Sequence, residues 1–305
     1  MVGSGAASNY ITTAIVREKK GQYGEIIVPP IGWVSDISAV INTGFTPVFV
    51  DVDIDTMAIT YESIKSAINE NTKAIVLVHA LGFNGINDKI IKLAKEHNLL
   101  LIEDCCEAHH MTTIEGGMVC TNDEELAELA RMFRSHGMTR EASAETHAKY
   151  AKPDVNPLFT FAVPGYNMRS SEINAVLGIE QLPRIDHAIE ARRDNLKTWL
   201  DNLNSNIYIT EYNCDGNSSF ALPLILKPNH PYMSKVCAIL EQEKVEYRLG
   251  TAGGGNQARQ PYLERYDHKI VGSLENSNYI HDNGLYIGNH TELSEAQIKN
   301  LCKSL

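Results

Sequence analysis

The feature that most constrains this chain is a pattern repeated through its first hundred residues. A short apolar run is followed by an amphipathic one, several times over. EIIVPP (25–30) is apolar and closed by two prolines, and residues 34–43 then read as a helix stopped at Gly44. TPVFVDVD (46–53) is a second strand, and YESIKSAIN (61–69) sets Ile64, Ala67 and Ile68 on one helical face. KAIVLVHA (73–80), the helix DKIIKLAKEHN (88–98) and LLLIED (99–104) continue the alternation. Strands this apolar cannot have a wet face, so they predict a mostly parallel sheet with helices on both sides. Ligands of such sheets gather at the carboxyl ends of the strands. That singles out Pro29 to Trp33, His79 to Asn84 and Asp104 to His110.

Further on the pattern loosens. GGMVCT (116–121) reads as a strand and residues 123–137 as a helix stopped by Gly137. Residues 138–165 are polar and aperiodic, a long loop of the kind that usually carries function. A long helix then opens with Ser170 or Ser171 as N-cap and is interrupted by Pro183. After residue 205 the texture changes to strands at 220–226, 245–250 and 284–288 with helices near 231–244 and 294–304. The expected division is a large domain over 1–200 and a smaller α+β domain over 201–305. No internal repeat is seen.

Composition narrows the function. Hydrophobic residues are 43% and charged residues 21%, enough for a real core. With 27 Lys+Arg against 38 Asp+Glu the net charge is −11, which argues against a general nucleic-acid binder. A local arginine cluster can still take an anionic small ligand. No apolar run reaches the roughly 18–20 residues of a membrane helix, and MVGSGAASN is not a signal peptide, so a cytoplasmic protein is expected. The six cysteines form no C-x-x-C, and their apolar settings read as reduced, mostly buried thiols without a metal.

Four places could carry chemistry. VGSGAASN (2–9) precedes a helix, where free N–H groups suit a phosphate, at Gly5 and Ala6 above all. Trp33 offers a flat face after the first strand. Asp104 ends a parallel strand, a costly place for a carboxylate without a cation. HHMTTIEGGMV (109–119) begins with two histidines, the commonest general bases near neutral pH. Taken singly, each has a plainer explanation: a flexible start, a core tryptophan, a capping aspartate, surface histidines.

Together they converge. GSGAAS, VPPIGWVSDISAVINTGFTPVFVDVD, IEDCCEA, HHMTTIEGGMV, RSHGM and PGYNMRSSEINAVLGIEQL stand in the order found in the DegT/DnrJ/EryC1/StrS family, which this chain resembles over most of its length. The resemblance implies an aspartate-aminotransferase-like α/β fold (PLP fold type I) and a homodimer with shared active sites. It implies pyridoxal 5'-phosphate or pyridoxamine 5'-phosphate as cofactor and a nucleotide-diphosphate sugar as substrate. Family members usually carry a lysine at the start of K-x-x-T-T-x-E-G-G; here His109 holds that slot, the mark of the 3-dehydratase branch. The implied activity is removal of the 3-hydroxyl from a nucleotide-linked 4-keto-6-deoxy sugar, for deoxysugar and surface-polysaccharide synthesis.

The resemblance also assigns roles. His109, or its neighbour His110, is the base, and Asp104 holds the ring nitrogen protonated. Trp33 stacks on the ring, and Gly5 and Ala6 touch the phosphate. Glu107 stands near the ring hydroxyl, and Asn167 reaches the phosphate from the other subunit. Arg134, Arg169, Arg248 and Arg259 are the candidates for the diphosphate. The CDP-linked members of the branch carry an iron–sulfur cluster on a C-x-C pattern, absent here, which favours a GDP-sugar. Two departures are visible. The chain starts at the phosphate loop, and IEDCCEA runs straight into HHMTT where family members have an intervening stretch. Two other readings follow: an ordinary sugar aminotransferase whose lysine lay in that stretch, and a non-catalytic dimeric scaffold.

Overall fold

The structure, a computed structural model, describes residues 1–109, 111, 115–228, 230 and 233–305. In chain order the elements are α1 (Gly5–Lys20), β1 (Glu25–Val28), α2 (Val34–Asn42), β2 (Thr46–Val50), α3 (Tyr61–Ala67), β3 (Thr72–Val78), α4 (Asp88–Glu96) and β4 (Leu100–Asp104). Then come α5 (Glu124–Arg134), α6 (Ala144–Lys149), α7 (Glu172–Gln181), α8 (Ile185–Asn202), β5 (Ala221–Ile225), α9 (Met233–Gln242), β6 (Tyr247–Leu249), β7 (Lys269–Val271), α10 (Glu275–Asn283), β8 (Gly284–Gly288) and α11 (Glu295–Ser304).

The alternation of the first hundred residues builds the sheet it predicted. Five parallel strands lie in the order β4-β3-β1-β2-β7. All four residues of β1 are buried, as a strand covered on both faces must be. The edge strand β7 was not foreseen: KIV is three residues between polar Asp267-His268 and Gly272, too short to show a period. It pairs with Val48–Val50 of β2 across more than two hundred residues of chain. A second, antiparallel sheet, β5-β8-β6, forms late in the chain, as the α+β texture there implied. Fully buried Trp199 of α8 donates its indole N–H to Pro223 O in β5 at 2.9 Å.

The chain forms two compact units. One holds residues 1–24, 38–45 and 111–182; the other holds 25–37, 46–110 and 183–305, with both sheets. The expected division at residue 200 does not coincide with them, because α8 runs unbroken across that point and β7 returns to the first sheet. In the first unit α1 packs on α5 through Ile11, Ile15, Leu129, Met132 and Phe133, with Val2 and Val163 beside them. Each such side chain contributes about 1.5–3 kcal/mol by leaving water. Ser4 caps α1 by accepting the Ala7 N–H at 3.1 Å, and Ser171, one of the two expected caps, accepts the Asn174 N–H at the start of α7.

Two expectations fail. GGMVCT makes no strand; it forms a single antiparallel bridge, Gly117 to Val2, since among the described residues Val2 alone offers it a backbone bridge partner. The cysteines are not mostly buried. Cys105, Cys106, Cys120 and Cys214 are exposed and Cys302 alone is buried, because the first four lie on turns and loops rather than inside elements. The stretch 138–165 is also less loop-like than expected, since α6 and two short 3-10 turns lie within it. Pro231 and Tyr232, at the start of the expected 231–244 helix, lie outside the described residues.

Candidate active site

In the second unit the carboxyl ends of β1, β3 and β4 bring several polar groups together, as the parallel sheet required. After β1 the chain passes buried Ile31 to Trp33, whose indole is 54% exposed. Asp104 closes β4 and is 8% exposed, and its Oδ1 accepts the Cys106 N–H at 2.8 Å. Glu107, in the turn that follows, accepts the Leu81 N–H on Oε2 at 2.7 Å. Leu81 lies just past β3 in the left-handed region (φ 52°).

Asp36, in the first turn of α2, is 3% exposed and within the electrostatic reach of Asp104. Burial, then the Asp104 charge, push the Asp36 carboxyl well above the ordinary aspartate range. Burial also raises Glu107; the Leu81 N–H and Arg248 oppose that, while Asp104 adds to it. Three acids therefore meet at one point. Sequence reasoning missed Asp36, because an aspartate in a first helical turn reads as a favourable dipole contact.

His79 was also missed as a residue, although the stretch after β3 had been marked. It is buried, with Nε2 3.1 Å from Glu103 Oε2 and Nδ1 facing the Gly85 N–H at 3.3 Å. The Gly85 contact favours a bare Nδ1. Burial lowers the imidazole pKa, but Cys105 and then Glu103 outweigh it and raise the pKa to about 9. His109 is exposed on the same turn, its N–H bonded to Cys105 O at 3.0 Å. His110, like Thr112, Thr113 and Ile114 of its motif, lies outside the described residues. Arg248 is hydrogen bonded to Tyr286 and acts on Glu107. Arg259 is ion-paired with Asp282 at 2.7 Å, both of them exposed.

The first unit assembles the other motifs. Val2 and Gly117 exchange both backbone bonds, at 2.8 and 3.0 Å, and Gly3 N–H reaches Met168 O at 2.9 Å. A Cβ on Gly117 would lie 2.2 Å from Ser4 O, so this glycine of E-G-G is needed for the close approach to the loop before α1. The first-turn N–H groups of Gly5 and Ala6 therefore share one place with the E-G-G turn and with G-Y-N-M-R. Asn167 is exposed and bridges Ser135, and its Oδ1 accepts from Arg169 Nε at 3.4 Å. Arg169 lines a cavity of about 310 Å³ with His136, Arg140, Phe159 and Phe161. Arg134 is 3.9 Å from Glu141.

The model of the DegT/DnrJ/EryC1/StrS aminotransferase family matches residues 1–111 and 108–305. The chain belongs to this family. It is 33% identical to the GDP-4-keto-6-deoxy-D-mannose 3-dehydratase of Yersinia pseudotuberculosis, over 99% of this chain and 84% of that protein. It is 31% identical to the enzyme of the same name from Escherichia coli O55:H7, over 95% and 83%. Among solved structures, GDP-4-keto-6-deoxymannose-3-dehydratase with a trapped PLP-glutamate geminal diamine superposes with a TM-score of 0.90 at 29% identity, covering 100% of this chain and 87% of that one. The aspartate-aminotransferase-like fold is therefore established.

The two family matches overlap at residues 108–111, so Ala108 to Met111 are claimed from both sides. The Yersinia alignment runs over 335 positions and this chain has 305 residues, so at least 30 aligned positions have no residue here. Both observations agree with the missing stretch between IEDCCEA and HHMTT.

The donor set of the second unit fits the family's cofactor. Acids packed as closely as Asp36, Asp104 and Glu107 call for a cation beside them, and a protonated pyridine nitrogen is one. The exposed Trp33 face offers its ring a platform. Among the described residues no cluster of His, Cys, Asp and Glu is arranged to hold a metal, and no helix is long and apolar enough to cross a membrane.

Proposed function

We propose that this chain is a pyridoxal/pyridoxamine-phosphate-dependent 3-dehydratase of a nucleotide-linked 4-keto-6-deoxy sugar, and that the sugar is GDP-linked. One observation carries the choice within the family. No lysine occurs between Lys95 and Lys149, so the slot three residues before Thr112-Thr113 holds His109 and no neighbour can replace the lysine. The identity to two 3-dehydratases supports the same choice.

When bound, the cofactor supplies a protonated ring that draws electrons from the adjoining carbon, so that a proton and the sugar 3-hydroxyl can leave. Asp104 holds the proton on the ring nitrogen, with its own Oδ1 fixed by the Cys106 N–H. Glu107 faces the ring hydroxyl, its carboxyl pinned by the Leu81 N–H. Trp33 covers one face of the ring and excludes water from it. The N–H groups of Gly5 and Ala6 receive the phosphate at the positive end of α1. His109, with His110 as the alternative, moves the proton through an imidazole nitrogen. Arg134, Arg169, Arg248 and Arg259 are the candidates from which the diphosphate would take its donors.

The working form is a homodimer in the cytoplasm in which Asn167 of one copy reaches the phosphate site of the other. Helix α7 supports this. Ile173, Val176 and Ile179 lie three apart on one exposed face, with Leu158 and Phe159 also exposed in the same unit. Isolated apolar side chains are ordinary on a surface, but a row of them marks an interface.

A second reading is favoured by the missing positions: a dimeric scaffold that no longer turns over. One experiment separates these. The protein is mixed with pyridoxamine phosphate and with pyridoxal phosphate, its absorbance followed, and a panel of nucleotide 4-keto-6-deoxy sugars analysed by mass spectrometry. Reversible binding and a product lighter by one oxygen support the dehydratase. A borohydride-fixed adduct on a protein lysine would point to an aminotransferase, and absence of binding to the scaffold.

A further inference from the structure

Helix α10 holds the glycine-rich loop after β6 with one face. Asn278, His281 and Asp282 are spaced three and four apart, so their side chains stand together. Each takes one group of the loop. Asn278 Oδ1 accepts the Asn256 side-chain N–H at 2.9 Å, His281 Nδ1 accepts the Asn256 backbone N–H at 3.1 Å, and Asp282 Oδ1 accepts from Arg259 Nη1 at 2.7 Å. The imidazole is seated closely, since a Cβ on Gly255 would lie 2.3 Å from the same Nδ1. Asn256 is 1% exposed, and an N–H buried that deeply is costly to leave unpaired. The helix is itself fixed to the first sheet. Asp51, just after β2, accepts the Asn276 and Ser277 N–H groups at 2.9 Å each. On its other side the loop meets the candidate site: Gln257 N–H bonds Pro30 O at 2.7 Å, and Gln257 Nε2 bonds Gly253 O at 2.9 Å.

We propose that neutral His281 is a positioning residue for substrate binding: its bare Nδ1 holds the loop that carries Arg259, and a proton on that nitrogen releases it. A ring nitrogen that accepts an N–H has a free lone pair, so the ring is neutral with its proton on Nε2. Protonation at Nδ1 would set one N–H against another. The charged groups that act on the ring are Arg259 from the loop and Asp282 from its own helix, and these two are paired with each other. Strand β8, which packs on α10, brings Tyr286, and that hydroxyl faces Glu107 and Arg248 instead. Burial first, and then Arg259, hold the imidazole below the ordinary histidine range, while Asp282 opposes them. The proposal rests on the reading of Arg259 as a diphosphate donor, whereas the hold on the loop belongs to the protein alone and can be tested without substrate.

The sign follows from linkage. A histidine whose folded pKa is depressed contributes stability above its ordinary range and loses it as pH falls through the folded value. The loop therefore tightens as pH rises from about 5 to about 8, the span in which histidine titrates. Hydrogen exchange of the full chain is followed across that span, with each amide corrected for its intrinsic rate, and GDP binding is measured by calorimetry on the same samples. In wild type, protection of the Asn256 and Gln257 amides is expected to fall roughly 10-fold toward pH 5, the size of a lost buried hydrogen bond, while the β1 amides hold. His281→Asn places Oδ1 where Nδ1 was, so it should keep the loop protected and remove the pH dependence. His281→Leu should expose the loop at every pH. Asn278→Ala should loosen the loop and leave the pH dependence in place, and it carries the test if the Leu variant does not fold. GDP should bind wild type more weakly toward pH 5 by a larger factor than it does His281→Asn, since the ionisation of GDP itself is common to both. The proposal is overturned if wild type and His281→Asn show the same pH profile of loop protection, or if His281→Leu protects the loop like wild type. Should protection follow His281 while GDP binds all the variants alike, the hold on the loop stands and the substrate reading of Arg259 alone fails.

Discussion

Gly253 is where a single methyl group should reach the candidate site from far away in the sequence. It lies in the glycine-rich turn 253–255 with φ +60°, and a Cβ there would meet Gly32 O at 2.1 Å and Trp33 Cα at 2.9 Å. Both obstacles are backbone, so a side chain cannot swing aside to relieve them. Gly253→Ala therefore carries two costs: about 1 kcal/mol for an L residue in the left-handed region, and roughly 1–3 kcal/mol for overpacking. Its neighbour supplies the control. Gly254 has φ +84° and nothing within 4 Å of its missing Cβ, so Gly254→Ala should carry the backbone cost alone. Urea denaturation should thus place Gly253→Ala about 2–4 kcal/mol below wild type and Gly254→Ala about 1 kcal/mol below. The displaced segment carries Trp33. Only two tryptophans exist, and Trp199 is fully buried, so a change in the solvent-exposed part of the emission reports on Trp33. Equal stabilities for the two variants, with unchanged Trp33 emission, would refute the close approach of Gly253 to the Gly32–Trp33 backbone.

Three further outcomes are expected. His109→Asn should leave pyridoxamine-phosphate binding nearly intact and lower the rate by roughly 10²–10⁴; if His110→Asn does so instead, the base is the neighbour. Arg259→Ala should raise KM for the sugar nucleotide with cofactor absorbance unchanged, and Asp282→Asn, which frees Arg259 from its 2.7 Å partner, should lower it; a wild-type KM in both removes this loop from the substrate site. Ile179→Asp on the exposed face of α7 should shift the sedimenting species from dimer to monomer, and an unshifted profile would show that the dimer forms elsewhere.

What could be read from the residues depended on whether the cause was local. The parallel sheet was legible because β1, β2 and β3 are apolar after their first one or two residues and the helices between them carry clear stripes. Asp104 was legible because a carboxylate at the end of such a strand is costly wherever the rest of the chain goes. Asp36 was not, since its burial is a tertiary effect and its own neighbourhood, W-V-S-D-I-S, describes an ordinary first helical turn. The same holds for Glu107, whose partner Leu81 lies after β3. Its assignment rested on family resemblance and not on its surroundings. GGMVCT was misread for the opposite reason: its residues suit a strand, but strand formation needs a partner and among the described residues Val2 alone bridges to it.

The missing positions fall between two groups of residues without removing either. Asp104 and Glu107 precede residue 108, and E-G-G with Gly117 follows residue 111, so the acids of the second unit and the loop before α1 in the first are both kept. Their retention has an energetic side. Buried acids within each other's electrostatic reach weaken the cofactor-free protein at neutral pH, and an amide at position 36 would relieve the cost while filling the same space. A ligand that places a cation beside Asp104 offsets that cost on binding, since whatever binds only the folded chain stabilises it by mass action. An inert scaffold draws no such return from the cluster. The acid cluster therefore weighs toward a chain that still binds its cofactor, and the lysine-free stretch from 96 to 148 weighs toward one that uses it without a covalent anchor.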